Sequence, residues 1–453
     1  MELKKSQYKM DMLSGSIWNK LIAFAFPLAM TSILQQLFNS ADVAIVGRFV
    51  GSDALAAVGA NVANVGIFVN FLVGFSVGPN VVLSRLIGRG DESESRKIPG
   101  TTVFLSLFTG LIFFAAGEIL TRWLLVSIST PEKVLGQAVL YFRIYLAGIP
   151  FLAVYNCGSA LLRSVGDTKR PLYILIGSGI LNVVLNLVFV IIFGMGVSGV
   201  AVATVISEIL SCFAVIFILM SEKGILHLGK NFFHPDFKYV KKIFVEGFPS
   251  GVQSAVFSVS NMFVQAGINS FGSAAIAGSS AGLNFEYFTY AISGAYSQAA
   301  VTFVSQNYGA LQIDRCKRTF WLALGEGAFF TWLLGAVFIA GRHFFVSFYT
   351  IDPAVQDFAI RRMLYVTSVE FLACPFDVGS GALRGLGHAV IPSVFTILGT
   401  VVFRIIWMYT IFAHFRSYES LMVVYPVSWV FTEILILIAY FYCMKKLEKK
   451  SGR

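Results

Sequence analysis

Charge is scarce in this sequence: only 13% of its 453 residues are Asp, Glu, Lys or Arg, where soluble domains carry roughly a quarter. Such a deficit excludes an ordinary water-soluble globular domain. Histidine is rare as well. The five present (His227, His234, His343, His388, His414) are far apart in sequence and sit at loops or predicted helix ends, so a metal site is not expected. The five cysteines are odd in number and show neither disulfide nor zinc spacing; all but Cys316 fall in apolar runs and read as small buried hydrophobes. There is no Walker A sequence, so ATP does not power the protein directly. No G-x-S-x-G, no H-E-x-x-H and no paired catalytic His and acid is present, and no enzyme activity is expected.

What fills the chain instead is hydrocarbon. Hydrophobic residues make up 57%, with 44 Phe and 41 Gly, and the mean hydropathy is +0.76. Aromatic bulk faces lipid well, and glycine lets helices approach closely. A membrane-crossing helix needs about 20 predominantly apolar residues. Twelve such stretches are predicted, at 17–40, 54–80, 99–121, 134–156, 168–193, 197–220, 243–268, 275–303, 317–341, 358–380, 390–413 and 421–444. The fold class is therefore all-α, a multi-pass membrane protein. Met1 to Lys20 is polar and basic, and the long apolar run after it lacks a small-residue cleavage site, so it is not expected to be a removed signal.

The net charge of +10 suits a nucleic-acid binder at first sight. Its distribution argues otherwise. The basic residues concentrate in alternate loops: Lys4, Lys5 and Lys9; Arg85, Arg89, Arg96 and Lys97; Arg163, Lys169 and Arg170; Lys223, Lys230, Lys238, Lys241 and Lys242; Arg315, Lys317 and Arg318; Arg384; and the run from Lys445 to Lys450. The other loops hold little beyond Arg48, Arg122, Lys133, Arg342 and Arg416. This is the positive-inside pattern, and it predicts that both termini are cytoplasmic, with no nucleic-acid partner.

The halves repeat. Gly51-Ser52-Asp53-Ala54-Leu55-Ala56 recurs as Gly272-Ser273-Ala274-Ala275-Ile276-Ala277, and Ser84-Arg85-x-x-Gly88 as Ser305-Gln306-x-x-Gly309. Gly158-Ser159-Ala160-Leu161-Leu162-Arg163 is echoed by Ser380-Gly381-Ala382-Leu383-Arg384, then Gly166 by Gly387 and Pro171 by Pro392. The shared offset is 221 positions; Pro27 and Pro249 differ from it by one. Six spans per half give both halves the same orientation, so two six-helix lobes related by a pseudo-two-fold axis along the membrane normal are predicted. The division expected is 1–220, a cytoplasmic linker at 221–242, and 243–453. A central cavity between two bundles is a transporter architecture.

The repeated segments resemble the multidrug and toxic compound extrusion (MATE) family, closer to its DinF-like than its NorM-like branch. The resemblance is carried by Gln35 to Arg48 (QQLFNSADVAIVGR), Ala54 to Gly59, Leu162 to Pro171 (LRSVGDTKRP), Gly196-Val197-x-Gly199-x-Ala201-x-Ala203-Thr204, Gly247-Phe248-Pro249-Ser250-Gly251 and Gln306 to Ala310. It covers essentially the whole chain. It implies a secondary antiporter of the plasma membrane (the inner membrane of a bacterium), acting as a monomer. Small amphiphilic organic cations would leave in exchange for H⁺ or Na⁺, with no bound cofactor. A lipid or lipid-linked oligosaccharide flippase of the same structural superfamily is the alternative.

Asp42 in the first span is the main candidate. A carboxylate in hydrocarbon costs about 2.5–3.5 kcal/mol and needs a partner, a cavity or a proton. Read from the residues alone, it is equally an interfacial acid beside Arg48; the resemblance matches it to the family's coupling-ion carboxylate. Asn182 and Asn186 are spaced i,i+4 in the fifth span and share a helix face. Either they orient Asp42 or coordinate a cation, or they simply hydrogen-bond between helices. Asn186 stands where the archaeal and DinF-like pattern has Asp, which removes a titratable group; Thr204 matches another polar member of that cluster. The seventh- and tenth-span acids of the NorM-like branch are absent, with Ala373 near one position.

Candidate substrate contacts are Gln36 and Asn39 in the first span, Gln253 and Asn261 in the seventh, and Glu286, Tyr287 and Tyr290 in the eighth. An acid among aromatic faces suits a hydrophobic cation; pairing of Glu286 with an Arg or Lys is the competing reading. Glu208, Glu370 and Asp377 lie in or near spans without an assigned role, and Arg404 is expected to snorkel toward the surface. Pro27, Pro79 and Pro249 permit kinks. Gly194 to Gly199 fits G-x-G-x-x-G but lacks the strand and the acid of a dinucleotide site, and is expected to be a tight turn between spans.

Overall fold

The computed structural model describes residues 9–128, 130–229 and 234–450, and Lys4, Lys5 and Lys230 of the predicted basic loops lie outside the described residues. The described chain is helical, with no strand among the described residues. The helices are α1 (Ile17–Phe49), α2 (Ser52–Phe75), α3 (Val77–Arg89), α4 (Glu92–Ser95), α5 (Ile98–Ser127), α6 (Glu132–Leu146), α7 (Ile149–Ser164), α8 (Lys169–Leu187), α9 (Gly196–Ser221) and α10 (Phe237–Asn269). They continue with α11 (Ser273–Gly309), α12 (Ile313–Ala340), α13 (Arg342–Ser347), α14 (Pro353–Tyr365), α15 (Cys374–Gly385), α16 (Val390–Thr396), α17 (Phe403–Tyr409), α18 (Ile411–His414), α19 (Tyr418–Met422) and α20 (Val424–Lys450). Short π segments follow α8 (Val188–Ile192) and α16 (Ile397–Val402), and a 3₁₀ stretch, Thr367–Ala373, joins α14 to α15.

The predicted stretches lie largely on helical backbone, interrupted at Ser76, at Ala147 and Gly148, at Val366, at Thr410 and at Val423. Among the described residues, eight helical stretches are long and apolar enough to cross a membrane, and nine if α6 and α7, bent by 44°, form one span. The three that fall short, α10, α11 and the α14–α15 stretch, carry Ser, Asn, Gln and acids along their length. The second predicted span is broken at Ser76, so Pro79 lies in the first turn of α3, where a missing N–H costs nothing. Pro27 and Pro249 sit inside continuous helices.

The duplication is written into the backbone. Gly51 (φ 116°) and Gly272 (φ 89°) precede α2 and α11, and Gly166 (φ 89°) and Gly387 (φ 87°) end the turns after α7 and α15. Each pair is separated by the repeat offset. A third pair departs from glycine: Gly90 (φ 72°) is answered by Leu311 (φ 59°). A non-glycine left-handed residue costs about 1–2 kcal/mol. The G-x-G-x-x-G segment is a turn, with Gly194 at φ 63° and Gly196 at φ 59°, leading into α9.

Two compact units emerge from the fold, Met1–Met10 with Ile33–Ala255 and Asp11–Ser32 with Val256–Arg453. Their limits cut the chain differently from the predicted 221–242 linker. In the first unit, α10 enters before the cut because Gly247 and Gly251 let it touch α2: a Cβ on Gly247 would lie 2.5 Å from the Phe75 carbonyl oxygen, and one on Gly251 2.9 Å from that of Phe71. Glu94 also ties the start of α10 to α4. It accepts from Lys97 at 2.5 Å and Lys238 at 3.2 Å, and from the Tyr239 hydroxyl. In the second unit, the beginning of α1 is held by Phe24 edge-on to Phe303, centroids 5.5 Å apart. Asn307 and Arg315 donate to the Met12 carbonyl at 3.3 and 3.1 Å.

Candidate functional site

In the first unit the predicted polar residues form a ladder. Helix α8 carries Gly179, Asn182 and Asn186 at i, i+3 and i+7, on one face. The absent side chain at Gly179 admits the Phe38 ring of α1: a Cβ there would lie 2.0 Å from the ring. This close approach brings Asp42, one turn beyond Phe38, onto the amides. Asn186 Nδ2 donates to Asp42 Oδ1 at 2.5 Å and to Asn182 Oδ1 at 3.3 Å. Asn182 Nδ2 donates to Thr204 Oγ1 at 3.3 Å, whose hydroxyl donates to the Val200 carbonyl at 3.0 Å. Asn186 is wholly buried and Asp42 partly so. Among the described residues no basic side chain lies within ion-pair distance of Asp42. The carboxylate has neutral dipoles around it and no counter-charge among the described residues. The Asn186 carbonyl oxygen beside it is buried without a donor among the described residues.

Close by lie Tyr141, Tyr145 and the Glu208 carboxylate. Glu208 fits because residue 148 is glycine, where a Cβ would lie 1.9 Å from its Oε2. Of the other first-unit candidates, Gln36 and Gln253 are partly buried, and Asn39, one turn before Asp42, is exposed.

The second unit holds an acid–base network built on one face of α11. Glu286 is not an open acid: Arg362 Nε and Nη2 donate to its two oxygens at 2.6 and 2.8 Å, with both residues buried. The pairing reading of Glu286 is thus the one realised, with a partner 76 positions away. One turn on, Tyr290 and Ser293 donate to Asp377 at 3.3 and 2.9 Å, and Thr289 donates to buried Glu370. Tyr287 is 45% exposed. Arg404 does not snorkel; that expectation is corrected. It is fully buried, donating to Ser428 at 3.2 Å and Asn261 at 3.0 Å, with its guanidinium 4.5 Å from the Tyr425 ring centroid. Arg362 lies 5.4 Å from the same ring. An aromatic face and local acceptors give a guanidinium the solvation that snorkelling would otherwise supply.

The sequence reading missed Arg362, Tyr425 and Glu326. Glu326, in α12, is buried beside Tyr296. The signal was available: both charges fall inside predicted apolar stretches, and an intramembrane base implies an acid nearby.

These features define a class. The chain is an all-helical, internally duplicated, multi-pass membrane protein with buried ionisable groups in each unit. The MatE family model matches it twice, over residues 27–188 and 249–410, starting at Pro27 and Pro249. The chain belongs to this family, which is one of transporters and not of enzymes. It is 26% identical to the probable multidrug resistance protein YoeA of Bacillus subtilis (strain 168), covering 96% of this chain and 95% of that protein. It is 25% identical to the probable multidrug resistance protein NorM of Thermotoga maritima, over 84% and 83% of the two chains. Its fold is similar to that of a multidrug resistance MATE transporter of the MOP superfamily in an outward-facing conformation, with TM-score 0.90 and 20% identity over 98% of this chain and 100% of that one. A MOP superfamily transporter from Pyrococcus furiosus described as having a binding pocket of reversed polarity gives the same TM-score, 0.90, at 20% identity over 98% and 100%.

Proposed function

We propose that this protein is a secondary active multidrug efflux transporter that exports small amphiphilic organic cations in exchange for H⁺ or Na⁺ by alternating access. The observation that carries the reading is Asp42, a carboxylate held by a neutral amide ladder without a counter-charge. Such a group is satisfied by one monovalent cation at a time: a proton, a sodium ion or the charge of a drug. A sodium ion would find two oxygens together, from Asp42 and Asn186. A proton would be retained by turning the Asn186 amide, so that its carbonyl accepts from the protonated acid. Binding of the coupling ion then releases the drug, and reorientation resets the site. The relatives named for multidrug resistance support the cargo class.

Twelve spans form two six-helix lobes joined at 221–242. The basic loops and both termini face the cytoplasm across the plasma membrane. The protein works as a monomer, and it is of the DinF-like rather than the NorM-like type, because the seventh- and tenth-span acids of the NorM-like branch are absent. Asn182, Asn186 and Thr204 position Asp42, while Gln36, Asn39, Gln253, Asn261, Tyr287 and Tyr290 contact substrate. Glu286 acts through its pair with Arg362.

A flippase for an anionic lipid is favoured by one observation. Arg404 is buried with one guanidinium nitrogen unpaired among the described residues. The two readings separate on cargo. Cells producing the protein should retain less of a cationic dye such as ethidium, and Asp42→Asn should abolish the difference. Equal dye retention with and without the protein would turn the assignment to lipid cargo.

A further inference from the structure

Between α3 and the start of α10, within the first unit, lies a cavity of about 450 Å³. Val82, Leu86 and Val245 form its apolar floor. Its rim is cationic. Two of the rim charges are neutralised locally: Arg85 lies 3.7 Å from Glu246 and Lys238 3.2 Å from Glu94. Arg89, Lys241 and Lys242 have no carboxylate within 4.0 Å among the described residues. Burial, and then the nearby charges of Lys238, Arg89 and Arg85, hold the Lys242 ammonium below its ordinary value, with Glu94 opposing. Three cations lining one largely apolar groove call for an anion. The neighbouring surface is lipid-like in its demands: Phe237 is 76% exposed, Val245 51% and Phe244 43%.

We propose that this groove binds one anionic phospholipid, its phosphate against Arg89, Lys241 and Lys242 and an acyl chain along Val82, Leu86 and Val245. A free phosphate would satisfy the rim but leave the apolar floor in water. A zwitterionic lipid would cover the floor but bring a choline or ethanolamine cation to a rim already in positive excess. Only the amphiphile with net negative charge answers both. Its headgroup would bridge α3 to α10, adding to the bridge that Glu94 makes from α4. The inference is independent of what the protein transports, and its test uses no transport.

The full-length protein, purified and equilibrated with equal phosphatidylglycerol and phosphatidylcholine in detergent micelles, is examined by native mass spectrometry. Wild type should retain phosphatidylglycerol selectively. Each basic residue near an anionic group contributes about five-fold in affinity. The triple variant Arg89→Gln, Lys241→Gln, Lys242→Gln should therefore lose at least about ten-fold in retained phosphatidylglycerol and keep its phosphatidylcholine level. A control of equal charge loss, Lys445→Gln, Lys446→Gln, Lys449→Gln, should bind like wild type. A thermal midpoint within a few degrees of wild type, in phosphatidylcholine alone, shows that each variant is folded. Three results would overturn the proposal: undiminished retention in the rim variant, equal loss in the control, or displacement of the lipid by millimolar inorganic phosphate.

Discussion

Gly179→Ala tests whether the approach of α1 to α8 sets the Asp42 site. The added methyl would stand 2.0, 2.3 and 2.4 Å from three atoms of the Phe38 ring. Carbon atoms rest at about 3.5 Å or more, so the ring or its helix must retreat by roughly 1.5 Å. The Asp42–Asn186 bond, now 2.5 Å, leaves the hydrogen-bonding range after lengthening by about 0.7 Å. If α1 moves, the ladder is cut at its charged end. Overpacking should cost about 1–3 kcal/mol of stability, seen in the thermal midpoint, and ion-driven dye efflux from vesicles should fall with it. Phe38→Leu trims the ring, so the double variant Phe38→Leu, Gly179→Ala should regain efflux that Gly179→Ala alone has lost. Wild-type coupling in Gly179→Ala, or no recovery in the double variant, would refute the reasoning.

Leu311→Gly should raise the thermal midpoint: relief of the left-handed strain, about 1–2 kcal/mol, exceeds the extra entropy glycine loses, about 0.5–1 kcal/mol; an unchanged or lowered midpoint contradicts this. Glu286→Gln should destabilise by about 3–5 kcal/mol, because it strands a buried guanidinium. Adding Arg362→Met should recover most of that loss in the same melting assay, and a double variant as weak as the single one would show that the pair does not act as a unit. The Glu94 carboxyl is held near 2 rather than its ordinary 4.5, first by Lys97, then by Tyr239 and Lys238. A depressed acid stabilises above its ordinary value, and its contribution disappears as pH falls from about 4.5 toward about 2. Wild type and Glu94→Gln should therefore differ in unfolding midpoint at pH 6 and converge at pH 2.

The fold was legible because its signals are local. Apolar runs near span length mark the helices, and glycines at one offset mark the same turns in both halves. The Asp42 ladder was legible in part: the i,i+4 spacing of Asn182 and Asn186 shows that they share a face, while the resemblance points that face at Asp42. What could not be read was pairing across distance. Glu286 and Arg362 stand 76 positions apart, and no periodicity links them. Arg404 was misjudged because its solvation comes from Tyr425, Asn261 and Ser428, which meet only in the folded chain. The closing of α10 on α2 through Gly247 and Gly251, and the docking of Met12 and Phe24 against α11, could not be read either, because these packing contacts have no local mark.

The most direct measurement is the affinity of the purified protein for a cationic dye, taken across H⁺ and Na⁺ concentrations. If drug and coupling ion compete for the Asp42 carboxylate, the apparent Kd should rise about ten-fold for each ten-fold excess of the coupling ion over its own dissociation constant. In Asp42→Asn that dependence should vanish. A wild-type affinity indifferent to both ions, or an Asn variant that keeps the full dependence, would contradict the account.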